Sequence, residues 1–271
     1  MSIIEALVLG FVQGFTEFLP ISSTGHLRIV PAFLGWEDPG AAFTAVTQLG
    51  TMAAVLVYFR RDLWGITRGF LAGLVDPVRR GTLESRLGWY ILVGTIPIGV
   101  FGLIFADSIE TSARSLTLIG STLIALGLLL AVADRVGRKE RDVASLGWRD
   151  GVLIGCAQAV ALVPGVSRSG ATMTAGLLLG LDRAAAARYS FLLSVPAVVL
   201  SGLFELRDIG AGDGPGVGAT ALATAIAFIV GYASIAGLLR FLASNSMTVF
   251  VVYRVLLGAL VLLLVWQGVI G

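Results

Sequence analysis

The chain has 271 residues, of which 56% are hydrophobic and only 13% charged, with a net charge of +2 and a mean hydropathy of +0.92. A soluble domain carries about 25% charged residues, so the composition predicts an integral membrane protein. The net charge is too small to suggest a nucleic-acid partner. The N-terminus lacks a basic region followed by a small-residue cleavage site, so we expect no removable signal peptide.

Two residue counts limit the chemistry. The single Cys156 excludes an internal disulfide and a cysteine-based metal cluster. Because it lies in an apolar run, we expect a buried, inert thiol. The single His26 excludes any mechanism that needs two histidines.

Eight apolar segments follow one another along the chain, and six are long enough for a membrane-spanning helix, which needs about 20 apolar residues. The predicted spans cover residues 41–60, 87–106, 115–134, 186–205, 218–239 and 248–269. The other two segments, 3–35 and 151–180, are interrupted by proline and polar residues. We interpret each as a helix, a break at membrane depth and a second helix, which requires the break to be buried or to line a wet cavity. A single kinked span is the alternative.

Both interruptions place polar residues where a bilayer disfavours them. The first reads QGFTEFLPISSTGH over 13–26, and the second reads PGVSRSGAT over 164–172. Ionisable groups at membrane depth are costly and indicate a functional site.

The two segments also match each other at a constant offset of 145 residues. The matched pairs are Gly10 with Gly155, Gln13 with Gln158, Ser22 with Ser167, Thr24 with Ser169, Gly25 with Gly170 and Gly35 with Gly180. This pattern predicts an internal repeat, 1–134 and 148–271, within one membrane domain over 1–271.

Loop charges predict the orientation. Arginine and lysine are concentrated in four loops, which the positive-inside rule places in the cytoplasm: 61–86, 135–150, 181–185 and 240–247. Residues 107–114 and 206–217 and both termini are then outside. The residues on that side are Glu37, Asp38, Asp107, Glu110, Arg114, Arg207, Asp208 and Asp213.

Three predicted spans separate the two broken segments. The first therefore enters from outside and the second from the cytoplasm, and the breaks meet near the midplane. The predicted fold is all-α, with about six transmembrane helices plus two re-entrant broken-helix pairs in an inverted-topology repeat.

The first break combines several reactive groups. Gln13 and Glu17 are four residues apart and share one helix face. Pro20 stops that helix, and Ser22 or Ser23 can cap the next one, which leaves backbone N–H groups free at the break. Ser23 and His26 then lie one turn apart.

In the second break, Ser167 or Ser169 can cap the following helix, with Arg168 between them. Two helix N-termini, several hydroxyls and one arginine would form an anion site that suits phosphate. The predicted substrate-binding residues are Ser22, Thr24, Gly25, Ser167, Ser169 and Gly170. Gln13 and Glu17 could supply oxygen ligands to a divalent cation, Mg²⁺ or Ca²⁺.

Some of these residues could have a purely structural role instead of a role in binding or catalysis. Ser22 and Ser167 could be plain caps, and Glu17 and Arg168 could form a purely structural ion pair. Arg28 and Arg254 lie near predicted membrane boundaries, where we expect their side chains to snorkel to the interface.

The two motifs resemble the signatures of the undecaprenyl-diphosphatase family, also called bacitracin-resistance proteins. The resemblance covers nearly the whole chain, including residues 43–50 and 188–196. It implies a multi-pass phosphatase of the cytoplasmic membrane, with its active site open to the extracytoplasmic side. The enzyme would remove the terminal phosphate of undecaprenyl diphosphate and so recycle the carrier lipid for cell-wall synthesis.

The resemblance also implies roles for individual residues. The acidic motif of the family maps to Gln13 and Glu17, its serine and histidine to Ser23 and His26, and its arginine to Arg168. Glutamine at position 13 leaves one carboxylate where some relatives have two. The resemblance further implies a homodimer.

Our mechanistic hypothesis assigns catalysis to Glu17, Ser23, His26 and Arg168. Ser23 attacks the terminal phosphorus, with His26 or Glu17 as the general base. Direct attack by a metal-bound water is the rival mechanism. The alternative function is transport, because inverted repeats with broken helices also build transporters; such a protein would flip a lipid phosphate across the bilayer.

Overall fold

The computed structural model describes residues 1–105, 115–205 and 216–270. These residues form eleven α-helices and two short 3-10 turns, Pro77–Gly81 and Val143–Ser145, and no β-strand. The helices are α1 Ile3–Thr16, α2 Ser23–Leu34, α3 Gly40–Tyr58, α4 Arg60–Val75, α5 Leu83–Ile104, α6 Leu116–Val136, α7 Trp148–Val160, α8 Arg168–Leu178, α9 Arg183–Glu205, α10 Val217–Leu242 and α11 Thr248–Trp266. The predicted outside residues Asp107, Glu110, Arg114, Arg207, Asp208 and Asp213 lie outside the described residues.

Six helices, α3, α5, α6, α9, α10 and α11, are long and apolar enough to cross a membrane. They coincide with the six predicted spans, so the predicted all-α membrane fold is confirmed. Large apolar side chains such as Ile229 and Leu256 are exposed on them. Such an apolar exterior is what contact with lipid requires.

Both broken segments are confirmed as pairs of helices, α1 with α2 and α7 with α8. The break before α2 ends at Ser22 (φ 75°), and the break before α8 ends at Ser167 (φ 71°). Positive φ is uncommon for residues other than glycine. Because the two helices of each pair also pack against each other, α1 on α2 and α7 on α8, neither segment is a single kinked span.

The two broken segments pack in the same way. Helix α1 packs on α10 and α7 packs on α5. Glycines allow both close contacts: a Cβ on Gly10 would lie 2.5 Å from the Ala223 carbonyl oxygen, and one on Gly155 would lie 2.4 Å from the Gly94 Cα. This correspondence fits an internal repeat, whose boundaries stay a prediction.

The arginine-rich segment 61–86 is not the plain loop that the charges suggested. Most of it forms α4 and a 3-10 turn between the spans α3 and α5. Trp64 and Leu71 are exposed on α4, beside the exposed Arg61 and Arg68. An apolar stripe flanked by arginines is typical of a helix that lies in the membrane interface.

The expectation of a buried Cys156 is wrong, because its thiol is exposed on α7. In a membrane protein the exterior is also apolar. An apolar run therefore does not distinguish a core position from a lipid-facing one.

Candidate active site

The two breaks meet at Glu17, which follows α1. Its Oε2 accepts hydrogen bonds from Gln13 Nε2 at 2.9 Å and from Ser23 Oγ at 2.5 Å. Its Oε1 accepts from the Arg168 guanidinium, which belongs to the second break. Glu17 is only 8% exposed. The structure thus brings together four predicted residues from both halves of the chain.

Local sequence explains this arrangement. The spacing of four residues places Gln13 and Glu17 on one face at the end of α1. The turn through Pro20 then brings Ser23 back toward the same carboxylate. A further contact joins the breaks, because Ser169 Oγ donates to the Leu19 carbonyl at 3.0 Å.

Ser22 and Ser167 are the caps of α2 and α8. Ser22 Oγ accepts from the Gly25 N–H at 3.3 Å, and Ser167 Oγ accepts from the Gly170 N–H at 3.1 Å. The N–H groups one and two residues after each cap have no acceptor within their own helix. Two helix N-termini, each carrying partial positive charge, therefore lie at the same site as Arg168.

A cavity of about 520 Å³ opens onto this group. Its polar end is lined by Glu17, Ser23, Thr24, Arg28, Ser167 and Arg168. The other walls come mainly from α3, α5 and α9 and include Ala45, Ile98, Gly99, Gly102, Leu103, Ala197 and Leu200. A polar end continuous with an apolar channel suits an amphiphile with a phosphate head.

Six of the predicted site residues do not line this cavity. They are Gln13, Ser22, Gly25, His26, Ser169 and Gly170. Ser22 and Ser169 hold the backbone through the contacts given above. The hydroxyls of Ser22 and Ser169 are used in these contacts, and the substrate-binding roles of Ser22, Gly25, Ser169 and Gly170 stay a prediction.

His26 faces away from Ser23. Its Nδ1 lies 2.7 Å from the Ser22 carbonyl oxygen, and its Nε2 lies 2.7 Å from the Tyr253 hydroxyl. A carbonyl oxygen only accepts, so Nδ1 carries the proton and Nε2 accepts from Tyr253. Since Ser23 instead donates to Glu17, the geometry favours Glu17 over His26 as the base for Ser23.

Comparison with known proteins shows the family of this chain. The family model described as bacitracin resistance protein BacA matches residues 6–260. The chain belongs to the BacA family. A protein of Nocardioides sp. named undecaprenyl-diphosphatase is 56% identical, over 99% of this chain and 98% of the relative. Proteins of the same name from Thermobifida fusca (54%; 100% and 92%) and Chlorobium limicola (50%; 100% and 99%) are also similar.

Sequence reasoning missed two arginines of this BacA-family protein. The expectation that Arg254 snorkels to the interface is wrong, because it is 0% exposed and donates to backbone carbonyls of both breaks. Its place in the second turn of α11, within an apolar span, was the signal. Arg28 pairs with Asp38 at 3.4 Å and lines the cavity, a role that its sequence position did not suggest, and its reach to the interface stays a prediction.

The predicted metal ligands have a donor set that fits a hard cation. Gln13 Oε1 is buried without a hydrogen-bond partner, next to the Glu17 carboxylate. Among the described residues, no group of three or more His, Cys, Asp or Glu side chains could hold a metal. Two oxygen donors would therefore need phosphate oxygens and water to complete the coordination of Mg²⁺ or Ca²⁺.

Proposed function

We propose that this protein hydrolyses undecaprenyl diphosphate to the monophosphate and phosphate, which recycles the carrier lipid for cell-wall synthesis and gives bacitracin resistance. The observation that carries the proposal is the junction of Glu17, Ser23 and Arg168 at the polar end of a largely apolar cavity. The names of relatives up to 56% identical support the same activity.

The polar end of the cavity suits a diphosphate. Arg168 and Arg28 line it and offer positive charge. The N-termini of α2 and α8 add backbone N–H donors, which bind phosphate well. Such preorganised donors stabilise the charge that develops on phosphate oxygens in the transition state.

In the proposed mechanism, Ser23 Oγ attacks the terminal phosphorus while Glu17 Oε2 takes the hydroxyl proton. The bond from that phosphorus to the bridging oxygen breaks, and the lipid monophosphate leaves with the electron pair. Glu17 gives that proton to the departing monophosphate and then takes a proton from water, whose oxygen attacks the phosphoserine. The bond from phosphorus to Ser23 Oγ breaks, Oγ takes the proton back from Glu17, and phosphate leaves. In the rival mechanism, water attacks the substrate directly and no phosphoserine forms.

A phosphate-release assay distinguishes hydrolysis from transport. Purified protein in proteoliposomes should release one phosphate per polyprenyl diphosphate. A flippase would instead move labelled lipid phosphate across proteoliposomes without release. Transport without release in the same preparation would refute the phosphatase.

Cation dependence gives a test of the proposed metal ligands. When bound, a divalent cation would offset the negative charge of the diphosphate. We expect a chelator to abolish phosphate release, and Gln13→Ala to raise the half-saturating cation concentration about tenfold, as loss of one hydrogen-bonded ligand group would. Gln158→Ala is the matched control, because Gln158 is the equivalent buried residue of α7 and contacts Gly94 instead. Full activity in chelator would contradict the proposal.

The apolar walls should hold the first isoprene units of the lipid. Gly99 lines the cavity, and a Cβ there would meet nothing within 4 Å. We therefore expect Gly99→Trp to fill the channel and to raise KM for long-chain diphosphates by at least about tenfold, as loss of several buried methylenes would. Gly237→Trp, at a glycine with equally open surroundings outside the cavity, should change KM little. An unchanged KM in Gly99→Trp would contradict this path for the tail.

We further propose that the protein lies in the cytoplasmic membrane with its cavity open to the outside. The cavity is lined by the ends of α5 and α9 and by the start of α3. These ends adjoin the segments with few positive charges, whereas the arginine-rich segments lie at the opposite ends. With Cys156 replaced by serine, Glu37→Cys should react with an impermeant reagent from outside; labelling only from the cytoplasm would overturn this orientation. The homodimer stays a prediction.

A further inference from the structure

Arg254 lies in the second turn of α11 and is fully buried. It donates hydrogen bonds to five backbone carbonyls: Pro20 at 3.0 Å, Thr122 at 3.4 Å, Leu123 at 3.1 Å, Gly165 at 3.1 Å and Val166 at 3.0 Å. Across residues 1–105, 115–205 and 216–270, no carboxylate pairs with it. A buried charge without a counter-ion is costly, so these carbonyls are its main compensation.

Two glycines make room for this side chain. A Cβ on Gly170 would lie 2.8 Å from Arg254 Nη1, and a Cβ on Gly127 would lie 3.2 Å from Arg254 Cβ. Gly170 belongs to the second motif, so part of that motif contacts the arginine rather than the cavity.

Three of the carbonyls that Arg254 binds lie in the two breaks, just before the helix caps. Pro20 precedes the cap Ser22 by two residues, and Gly165 and Val166 directly precede the cap Ser167. These carbonyls lie in non-helical backbone, which at membrane depth needs a protein donor. The planar guanidinium offers five N–H donors in a fixed geometry. One side chain thereby holds the approach to both helix N-termini.

We propose that Arg254 is the positioning residue that fixes the two breaks relative to each other. It acts through the backbone, so that Ser23 from the first break and Arg168 from the second reach the same phosphate. This inference rests on the proposed phosphatase function.

The Arg254→Lys variant separates the placement of the two breaks by the guanidinium from the effect of its positive charge. Lysine keeps the positive charge but cannot span carbonyls of both breaks with a rigid fork. A misplacement of about 1 Å costs about 100-fold in rate, so we expect kcat to fall about 100-fold. KM should stay within about threefold, because tail burial and Arg168 still bind the substrate.

Hydrogen exchange provides a second readout that does not depend on activity. In Arg254→Lys the backbone amides of both breaks, residues 17–26 and 161–170, should exchange faster than in the wild type. The matched control is Arg86→Lys. Arg86 also donates to two backbone carbonyls, of Ala144 and Leu146, but far from the breaks. This control should leave kcat and exchange at both breaks unchanged.

Thr122 offers a milder test of the same idea. Its Oγ1 donates to the Pro164 carbonyl at 2.8 Å and so holds the second break from α6. Thr122→Ala should lower kcat about tenfold, consistent with the loss of one buried hydrogen bond. Thr122→Ser keeps the hydroxyl and should restore kcat. If Arg254→Lys does not fold, the comparison of kcat between Thr122→Ala and Thr122→Ser tests the positioning of the breaks instead.

The outcomes of these experiments test the positioning role and the proposed function separately. A kcat of Arg254→Lys within threefold of the wild type, or equal kcat for Thr122→Ala and Thr122→Ser, overturns the positioning role. If the wild type and Arg86→Lys both release no phosphate, the proposed function fails instead. Unchanged exchange at the breaks in a folded Arg254→Lys protein would then still refute positioning.

Discussion

Glu17→Gln should lower kcat for phosphate release by about 10³-fold, within the range that general acid–base groups contribute. Glutamine keeps the shape of the side chain but cannot take the proton of Ser23. It also removes the negative charge that holds Arg168. The measurement is turnover of purified variant and wild type at saturating polyprenyl diphosphate.

Controls separate this chemical role from a structural Glu17–Arg168 pair. Glu5→Gln changes the same residue type in α1, at the exposed capping box of its first turn, and should keep normal turnover. Thermal unfolding of Glu17→Gln reports its fold. If the pair is only structural, the variant loses stability but its folded fraction turns over normally, and that outcome would remove Glu17 from the mechanism.

Ser23→Ala should lower kcat by about 10³-fold or more, because loss of a nucleophile leaves only binding and electrostatic stabilisation. Ser23 is the hydroxyl that both lines the cavity and donates to Glu17. Rapid acid quench of the wild type with substrate labelled in the terminal phosphate should trap phosphoserine at position 23.

Ser194→Ala is the matched control for this variant. Ser194 is also buried, and its hydroxyl donates to the Phe191 carbonyl within α9. Its replacement should leave turnover unchanged. Substantial turnover of Ser23→Ala, without a trapped phosphoenzyme in the wild type, would assign the attack to water and leave Glu17 as the base for that water.

The sequence predicted the spans and breaks because both depend on local features. Apolar length predicts a span, and proline with hydroxyl residues predicts a break and a cap. Glu17 and Arg168 are 151 residues apart in the chain. Their contact was nevertheless expected, because the internal repeat predicts that the two breaks meet.

What the sequence could not predict depends on the neighbours of each side chain in the fold. His26 shares a helix turn with Ser23, but the hydroxyl of Tyr253, 227 residues away, donates to its Nε2, so the ring is not bonded to Ser23. Arg254 was assigned to the interface from its position near a predicted boundary. Only the packing of α11 on α6 places it between the two breaks.

The central claim is that the two breaks act on one phosphate, and a double-mutant cycle tests it most directly. We would measure kcat/KM for phosphate release by Ser23→Ala, Arg168→Lys and the double variant. Groups that act as a unit are strongly non-additive, so the double variant should be about as active as Ser23→Ala alone. If the two losses multiply, the breaks act independently and the account of one shared site is contradicted.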